Sequence, residues 1–311
     1  MPRRALSALA ACALFWSGGA QAAPDCHGKG VWLQVLGSGG PELGDRRASS
    51  GYLVWRDGHA RILVDLGPGS LLNFERGGAR VEDLDMVLLT HLHVDHSGDL
   101  PGLVKAAFFT GRARDLPVYG PTGNALMPDT SAFVASLFAD PQGAWRYLSG
   151  YLSGDEAFRV LPRNVPVEGR AVVPVAEGAD YRVSAIPVHH GPVPALAWRV
   201  DIGGRAIAFS GDMNGDFHTL PALAAGADLL VAHNAVPEGA TGAARALHMP
   251  PSVIGALAAE SGAQRMLLSH RMLRTLGREA ETRREVRKRY AGPVSFAEDG
   301  ACIRVGTAGR D

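Results

Sequence analysis

A cluster of histidine and aspartate residues directly after an apolar run is the feature that most constrains the fold and function of this chain. Residues 90–99 read Thr-His-Leu-His-Val-Asp-His-Ser-Gly-Asp and follow a predicted buried strand. Side chains alternate along an extended chain, so His91 and His93 point to one side, and a following turn lets Asp95 and His96 face a neighbouring point. Imidazole nitrogens and carboxylate oxygens are zinc ligands, and such groups are costly to bury without partners. The cluster predicts a metal site, and the alternative is a surface group of histidines without function.

The spacing His-x-His-x-Asp-His after a strand resembles the signature of the metallo-β-lactamase superfamily. The other elements of that pattern follow in order at Asp65, His190, Asp212 and His270. Each follows an apolar, strand-like run, which is where loops gather at the edge of a sheet. The resemblance implies an α+β fold, the αβ/βα four-layer sandwich, with the metals at one edge of two facing sheets. His189 is the alternative to His190, which is preferred because it precedes a Gly-Pro turn, as in the superfamily.

The resemblance also implies a role for each residue of the site. It assigns one zinc ion to His91, His93 and His190, a second to Asp95, His96 and His270, and the bridging position to Asp212. Asp65 is expected behind the metals, where a carboxylate orients an imidazole ligand, and the alternative is a plain turn aspartate. Manganese or iron can also occupy such sites. Two metal ions would hold a bridging water and lower its pKa, which gives a hydroxide nucleophile at neutral pH.

Finer details are similar to the ribonuclease Z and arylsulfatase-like branch of the superfamily. The similar segments are 36–40, 48–51, 190–199 and 229–233. With Asp95, His248 is a predicted catalytic residue, as the acid for the leaving group, and His233 is predicted to support the metal site. The chain departs from ribonuclease Z at Asn234, where that family has a glutamate that pairs with the catalytic histidine. An amide cannot raise a histidine pKa as a carboxylate does, so tRNA maturation is not expected. For the same reason His248 has a second interpretation, in which it is a loop histidine with a structural role.

The first residues have the composition of a secretory signal peptide. Arg3 and Arg4 precede an apolar stretch that is too short to span a bilayer, and Ala20-Gln21-Ala22 offers a small-residue cleavage site. The sequence therefore predicts a signal peptide at 1–22 and one hydrolase domain at 23–311, which is periplasmic or secreted and has no membrane span.

The charge balance offers no obvious surface for nucleic acid. Without Arg3 and Arg4 the 31 basic residues become 29, against 31 acidic ones. A protein that neutralises many phosphates needs a basic face, and the richest basic stretch, 283–289, is interleaved with glutamates. No nucleic acid is expected as a partner, and the expected substrate is a small-molecule ester. The oligomeric state stays open, with a homodimer as one option.

Together these features predict an exported binuclear zinc hydrolase that cleaves a phosphodiester or aryl sulfate ester by a metal-bridging hydroxide. One alternative is a lactonase or another carboxyl-ester or amide hydrolase of the same fold, because carbonyl chemistry needs only the same metals and nucleophile. An alternative of another class is a non-catalytic metal-binding relative. A missing ligand would mark such a relative, and no ligand of the pattern is missing.

Two further features have two interpretations each. Cys26 and Cys302 either form a disulfide, as an oxidising compartment allows, or remain two buried free thiols. The segment 123–165 carries six aromatic residues among small ones. It is predicted either to cover the site as a lid or wall insertion or to pack on the body of the protein.

Overall fold

The computed structural model describes residues 26–306, so the predicted signal peptide at 1–22 lies outside the described residues. Within them, fourteen strands form two sheets. Their bounds are β1 Val31–Gly37, β2 Gly51–Arg56, β3 His59–Leu66, β4 Met86–Leu88, β5 Leu116–Pro121, β6 Val160–Val165, β7 Val173–Glu177, β8 Tyr181–His190, β9 Val193–Ile202, β10 Arg205–Phe209, β11 Leu229–His233, β12 Met266–Ser269, β13 Val294–Phe296 and β14 Cys302–Val305.

The same part of the chain contains nine α-helices and two short 3₁₀ turns. The helices are α1 Ser70–Arg76, α2 Val94–Ser97, α3 Leu100–Ala107, α4 Thr130–Phe138, α5 Gly150–Ser153, α6 Leu220–Leu223, α7 Gly242–Leu247, α8 Pro251–Ser261 and α9 Glu279–Arg287, and the 3₁₀ turns are Val81–Asp83 and Arg146–Leu148. Among these described helices, none combines the length and the apolar character that a bilayer crossing requires.

Each sheet has seven strands and combines antiparallel with parallel pairing. The first sheet has the order β14-β1-β2-β3-β4-β5-β6, and the second has the order β13-β12-β11-β10-β9-β8-β7. In the first sheet, β14 to β3 pair antiparallel and β3 to β6 pair parallel. In the second sheet, β7 to β10 pair antiparallel and β10 to β13 pair parallel. The parallel strands of each sheet therefore share one direction and end at one edge.

Three apolar layers hold the sheets and helices together. Strand β2 contributes to two of these layers, since Tyr52 and Val54 face the opposite sheet while Leu53 and Trp55 face the helices. A strand that is buried on both faces needs apolar residues at nearly every position, which explains the continuous apolar runs in the sequence. One layer lies between the sheets and one lies under the helices on each outer side. This arrangement confirms the predicted α+β four-layer sandwich.

Local signals located several elements well. Asp57-Gly58, a residue pair typical of a hairpin turn, joins β2 to β3, and both residues have the left-handed φ values, 50° and 82°, that a two-residue turn requires. The apolar stretch 100–109 favours a helix, and the structure has α3 over its first eight residues. Phe108 and Phe109 follow the helix and are exposed.

Cys26 and Cys302 form a disulfide, with 5.4 Å between their Cα atoms. Cys302 lies on β14 opposite Gln34 of β1, and the chain that precedes β1 folds back so that Cys26 reaches it. The bond joins positions 276 residues apart and ties the last strand to the start of the described chain.

The segment 123–165 forms α4, α5 and β6, and β6 is the edge strand of the first sheet. Phe138, Tyr151 and Phe158 are buried in the layer between this sheet and its helices. Trp145 and Tyr147 are exposed. Most of this segment therefore packs on the body, and a lid function for it stays a prediction.

Candidate metal centre

The predicted ligands come from loops that leave the ends of strands in both sheets. The cluster from His91 to His96 follows β4, and His190 ends β8. Asp212 follows β10, and His270 follows β12. Because β10 and β12 are parallel to β11, their ends lie side by side, facing the loop after β4 in the other sheet. The structure thus brings all seven predicted ligands together at one edge of the sandwich.

The first group consists of three imidazoles, on His91, His93 and His190. Nδ1 of His93 lies 3.0 Å from Nε2 of His91 and 3.4 Å from Nε2 of His190. Nδ1 of His190 donates to the carbonyl oxygen of Leu247 at 3.0 Å, which leaves Nε2 free to face the group. His189 points elsewhere, with its ring 4.8 Å from that of Phe217.

The second group surrounds one oxygen of Asp212. Its Oδ2 atom lies 3.3 Å from Nε2 of His270, 3.6 Å from Nε2 of His96 and 3.9 Å from Nε2 of His190. Oδ2 of Asp95 lies 3.2 Å from Nε2 of His270 and 3.5 Å from Nε2 of His96. Asp212 therefore stands between the two groups, at the position that a bridging ligand would take.

These separations fit divalent metal ions. Two nitrogen ligands of a tetrahedral zinc ion, each about 2.0–2.1 Å from the metal, lie about 3.3 Å apart. The nitrogens of the first group are 3.0 and 3.4 Å apart. In addition, Nε2 of His96 is buried without a hydrogen-bond partner, although it faces the centre of the second group. A ligand atom directed at a metal would have this environment.

The electrostatics of the cluster also favour a cation. Burial and the neighbouring His96 hold the pKa of His91 well below its usual value, so His91 is a neutral donor. Burial alone would raise the pKa of Asp212, but the imidazoles of His270 and His248 hold it well below its usual value. Burial likewise opposes protonation of His96, yet the carboxylates of Asp65 and Asp95 raise its pKa well above normal. The site thus attracts positive charge, which metal ions supply when they displace protons.

Asp65 and His233 support the ligands from behind. Oδ2 of Asp65 accepts a hydrogen bond from Nδ1 of His96 at 2.7 Å and another from the hydroxyl of Thr90 at 2.8 Å. Its Oδ1 accepts from the backbone N–H of Thr90 at 2.7 Å. Nδ1 of His233 donates to Oδ1 of Asp212 at 2.7 Å. Both contacts orient a ligand, which is how residues behind a metal site tune it.

The backbone near the site is tightly constrained. Asp65 and His270 adopt left-handed φ values of 55° and 51°, a strained conformation that packing must hold and that clusters at functional sites. A Cβ atom on Gly67 would lie 2.0 Å from the carbonyl oxygen of Asp95. Only glycine therefore lets the loop after β3 approach the loop that carries His91 to His96. The Asp-x-Gly sequence at 65–67 indicates this close approach.

A cavity of about 300 Å³ opens over the ligands. Its wall includes Pro41, Leu247, Met272, Arg274 and His248. Nδ1 of His248 lies 3.7 Å from Oδ2 of Asp212, and burial lowers the pKa of His248 to about 3. The sequence reasoning missed Arg274, since a single arginine four residues after His270 carries no signal of its own.

The departure noted at Asn234 is visible in the structure. The side chain is fully buried, and its Nδ2 donates to the carbonyl oxygen of Val236 at 3.3 Å. Its Oδ1 has no hydrogen-bond partner.

Comparison with known proteins agrees with this geometry. Residues 60–271 match the family model described as a beta-lactamase superfamily domain. A ribonuclease Z of Mycolicibacterium paratuberculosis is 30% identical over 287 residues, which cover 86% of this chain and 96% of that protein. A ribonuclease Z of Thermobifida fusca is also 30% identical, over 86% of this chain and 92% of its own.

Solved structures show the same fold. The short form of human tRNase Z (ELAC1) superposes with a TM-score of 0.65 at 21% identity, over 89% of this chain and 100% of its own. The metallo-beta-lactamase fold protein YhfI from Bacillus subtilis also gives a TM-score of 0.65, at 23% identity, over 88% of this chain and 98% of its own.

These relatives correct two predictions. The expectation of a hydrolase whose substrates are small phosphodiesters or sulfate esters is contradicted, because the similar proteins are named ribonucleases. The expectation of a small-molecule substrate and no nucleic-acid partner is contradicted for the same reason. The charge argument was wrong because net charge sums over the whole chain and does not reveal an arginine, such as Arg274, that the fold places in the cavity wall.

The ligand geometry, together with similarity over nearly the full length of a ribonuclease Z, shows that the chain belongs to the metallo-β-lactamase superfamily of hydrolases, on its ribonuclease Z branch.

Proposed function

We propose that this protein is a metal-dependent phosphodiesterase that cleaves RNA. The observation that carries the proposal is the seven-residue ligand set beneath a cavity that Arg274 lines. The extensive similarity to ribonucleases Z supports RNA as the substrate. The histidine and carboxylate donors favour zinc, while manganese or iron would suit the same donors.

The chain's own residues would divide the work of phosphodiester cleavage. Bound metal ions supply Lewis acidity, which lowers the pKa of a water and neutralises phosphoryl charge. Nε of Arg274 donates to the carbonyl oxygen of Ala235 at 2.7 Å, so its guanidinium is held in place to bind a phosphate oxygen. With a pKa of about 3, His248 is unprotonated at neutral pH. Its predicted role as a proton donor would therefore require that it first takes up a proton, such as the one that the attacking water releases, and then passes it to the leaving oxygen.

Arg245 lies beside the cavity and would bind the strand that flanks the scissile phosphate. Arg170 is a second candidate, because Phe217, which it covers, packs against His189 next to the predicted ligand His190. Arg245 is on α7, which lines the cavity, and it donates to the carbonyl oxygen of Asn214 at 3.1 Å. The guanidinium of Arg170 lies 3.3 Å above the ring of Phe217. Within residues 26–306, Arg170, Arg245 and Arg274 form no ion pair with a carboxylate. Their charges are therefore available for phosphates, and guanidinium planes also stack on unpaired bases.

Purified protein supplied with zinc is expected to cleave bis-p-nitrophenyl phosphate and a 3′-extended RNA. His93→Ala should reduce both rates by about 100-fold or more, because it removes a donor that the metal requires. His59→Ala is the matched control, since His59 is exposed and pairs only with Asp83. Equal rates for wild type and His93→Ala would contradict the proposal. The proposal would also be contradicted if the protein cleaved p-nitrophenyl sulfate or a lactone but neither of the two phosphodiesters.

Arg245→Ala is expected to raise the KM for RNA by about tenfold, which corresponds to roughly 1.4 kcal/mol. The slope of log affinity against log salt should fall by about one, because one phosphate contact is lost. Arg182→Ala serves as the control, since Arg182 already pairs with Glu177 at 3.0 Å. Fluorescence anisotropy measures RNA binding by both variants between 50 and 200 mM salt, roughly the range in which such slopes are resolved. An unchanged slope would place the RNA elsewhere.

We also propose that the protein is exported. The disulfide supports this location, because such bonds persist in oxidising compartments and are rare in the cytosol. Rapid thiol alkylation of intact cells should find Cys26 and Cys302 bonded. Free, alkylated thiols would show a reducing location instead.

A further inference from the structure

The two oxygens of Asp212 have different surroundings. Oδ2 faces the imidazoles of His96, His190 and His270. Oδ1 faces away from them and accepts a hydrogen bond from Nδ1 of His233 at 2.7 Å. The orientation of this carboxylate, and hence the position of its metal-facing oxygen, therefore depends on the orientation of the His233 ring.

The other ring nitrogen of His233 contacts a residue of the opposite sheet. Nε2 lies 3.0 Å from the hydroxyl of Tyr52, and that hydroxyl lies 2.8 Å from Oγ of Ser269. Tyr52 is on β2, whereas His233 and Ser269 end β11 and β12. Tyr52 and Ser269 are fully buried and His233 is 2% exposed, so water cannot replace these partners.

We propose that Tyr52 is a positioning residue of the metal centre, which holds His233 so that Asp212 presents Oδ2 to the metals. Because Nδ1 of His233 donates to Asp212, Nε2 of the neutral ring is an acceptor, and the Tyr52 hydroxyl is placed to donate to it. Without the hydroxyl, a buried ring nitrogen would lose its partner, and the ring would gain freedom to rotate away from Asp212. Tyr52 reaches the centre from the first sheet, and so it also couples the alignment of the two sheets to the geometry of the ligands.

Metal affinity provides the test, and it needs no substrate. Zinc binding is measured by competition with a chromophoric chelator, for wild type and for Tyr52→Phe. Loss of a partner behind a metal ligand reduces affinity by about 10- to 100-fold, and we expect a loss in this range. Because the readout is binding, a failure of this inference is distinguishable from a failure of the proposed phosphodiesterase activity.

Tyr290→Phe is the matched control. The hydroxyl of Tyr290 is also buried and donates to the carbonyl oxygen of Ala263 at 2.9 Å, under the helices of the second sheet. Both variants lose one buried hydroxyl, but only Tyr52 reaches the ligands. Zinc affinity should be unchanged in Tyr290→Phe, and an equal loss in both variants would mean a general effect of stability.

A double-mutant cycle tests the route through His233. If Tyr52 acts only through this ring, Tyr52→Phe should weaken zinc binding in the wild type and have no further effect in His233→Asn. Additive losses, or wild-type affinity in Tyr52→Phe, would overturn the proposal. If Tyr52→Phe does not fold, Ser269→Ala removes the other partner of the Tyr52 hydroxyl and should weaken binding in the same direction. Unchanged affinity in Ser269→Ala would then overturn it.

Discussion

Asp212→Asn is expected to lower kcat/KM for bis-p-nitrophenyl phosphate by roughly 10³-fold and to reduce the bound zinc. The carboxylate is buried, and its Oδ2 lies within 3.9 Å of three predicted imidazole ligands. An amide keeps the shape but loses the charge that offsets two cations. Removal of one group that stabilises developing charge costs about 10²–10³ in other enzymes, and here a metal would be lost as well.

Rate measurements and elemental analysis of zinc content test this expectation. Asp216→Asn is the control, because Asp216 lies only four residues away and accepts from Asn214, but its side chain is 59% exposed. This control should keep both metals and its full rate. An Asp212→Asn protein that retains two zinc ions per chain and near wild-type activity would show that Asp212 is not a bridging ligand.

Replacement of both Cys26 and Cys302 by serine is expected to reduce the free energy of unfolding by about 3–5 kcal/mol. A cross-link constrains the unfolded chain more strongly as the enclosed loop grows, and this one spans 276 positions. The first sheet should be affected most, because the bond ties β14 to the start of the described chain.

Chemical denaturation of the double variant, compared with oxidised and reduced wild type, gives the measurement. Reduced wild type should resemble the variant. Neither cysteine lines the cavity or belongs to the predicted ligand set, so zinc affinity in the native protein should be preserved. A variant as stable as the oxidised wild type would mean that the cross-link contributes nothing to the folded state.

The functional prediction failed where it depended on a sum over the chain. Net charge near zero and the absence of a long basic run gave no indication of nucleic acid as a partner, whereas the similar proteins are named ribonucleases. Arg245 and Arg274 are far apart in sequence, and the fold places Arg274 in the wall of the cavity and Arg245 on α7, which lines the same cavity. Asn234 was a sound observation, but a single departure weighs little against similarity that extends over 96% of a ribonuclease Z.

Sequence alone determined the features that local chemistry controls. The close spacing from His91 to His96 predicts a shared site because neighbouring residues cannot separate far, and Asp57-Gly58 predicts a turn because its backbone needs left-handed φ values. Apolar runs predicted strands that are buried on both faces. These features depend on nearby residues, and so they survive without knowledge of the fold.

The tertiary structure decided everything that depends on contacts between distant elements. Strand register brought Cys302 to Cys26, and sheet packing brought the Tyr52 hydroxyl to His233. It also determined which oxygen of Asp212 faces the other predicted ligands and which of His189 and His190 lies among them. Such contacts depend on how two sheets align across a buried core, and no periodicity or motif within a single segment carries that information.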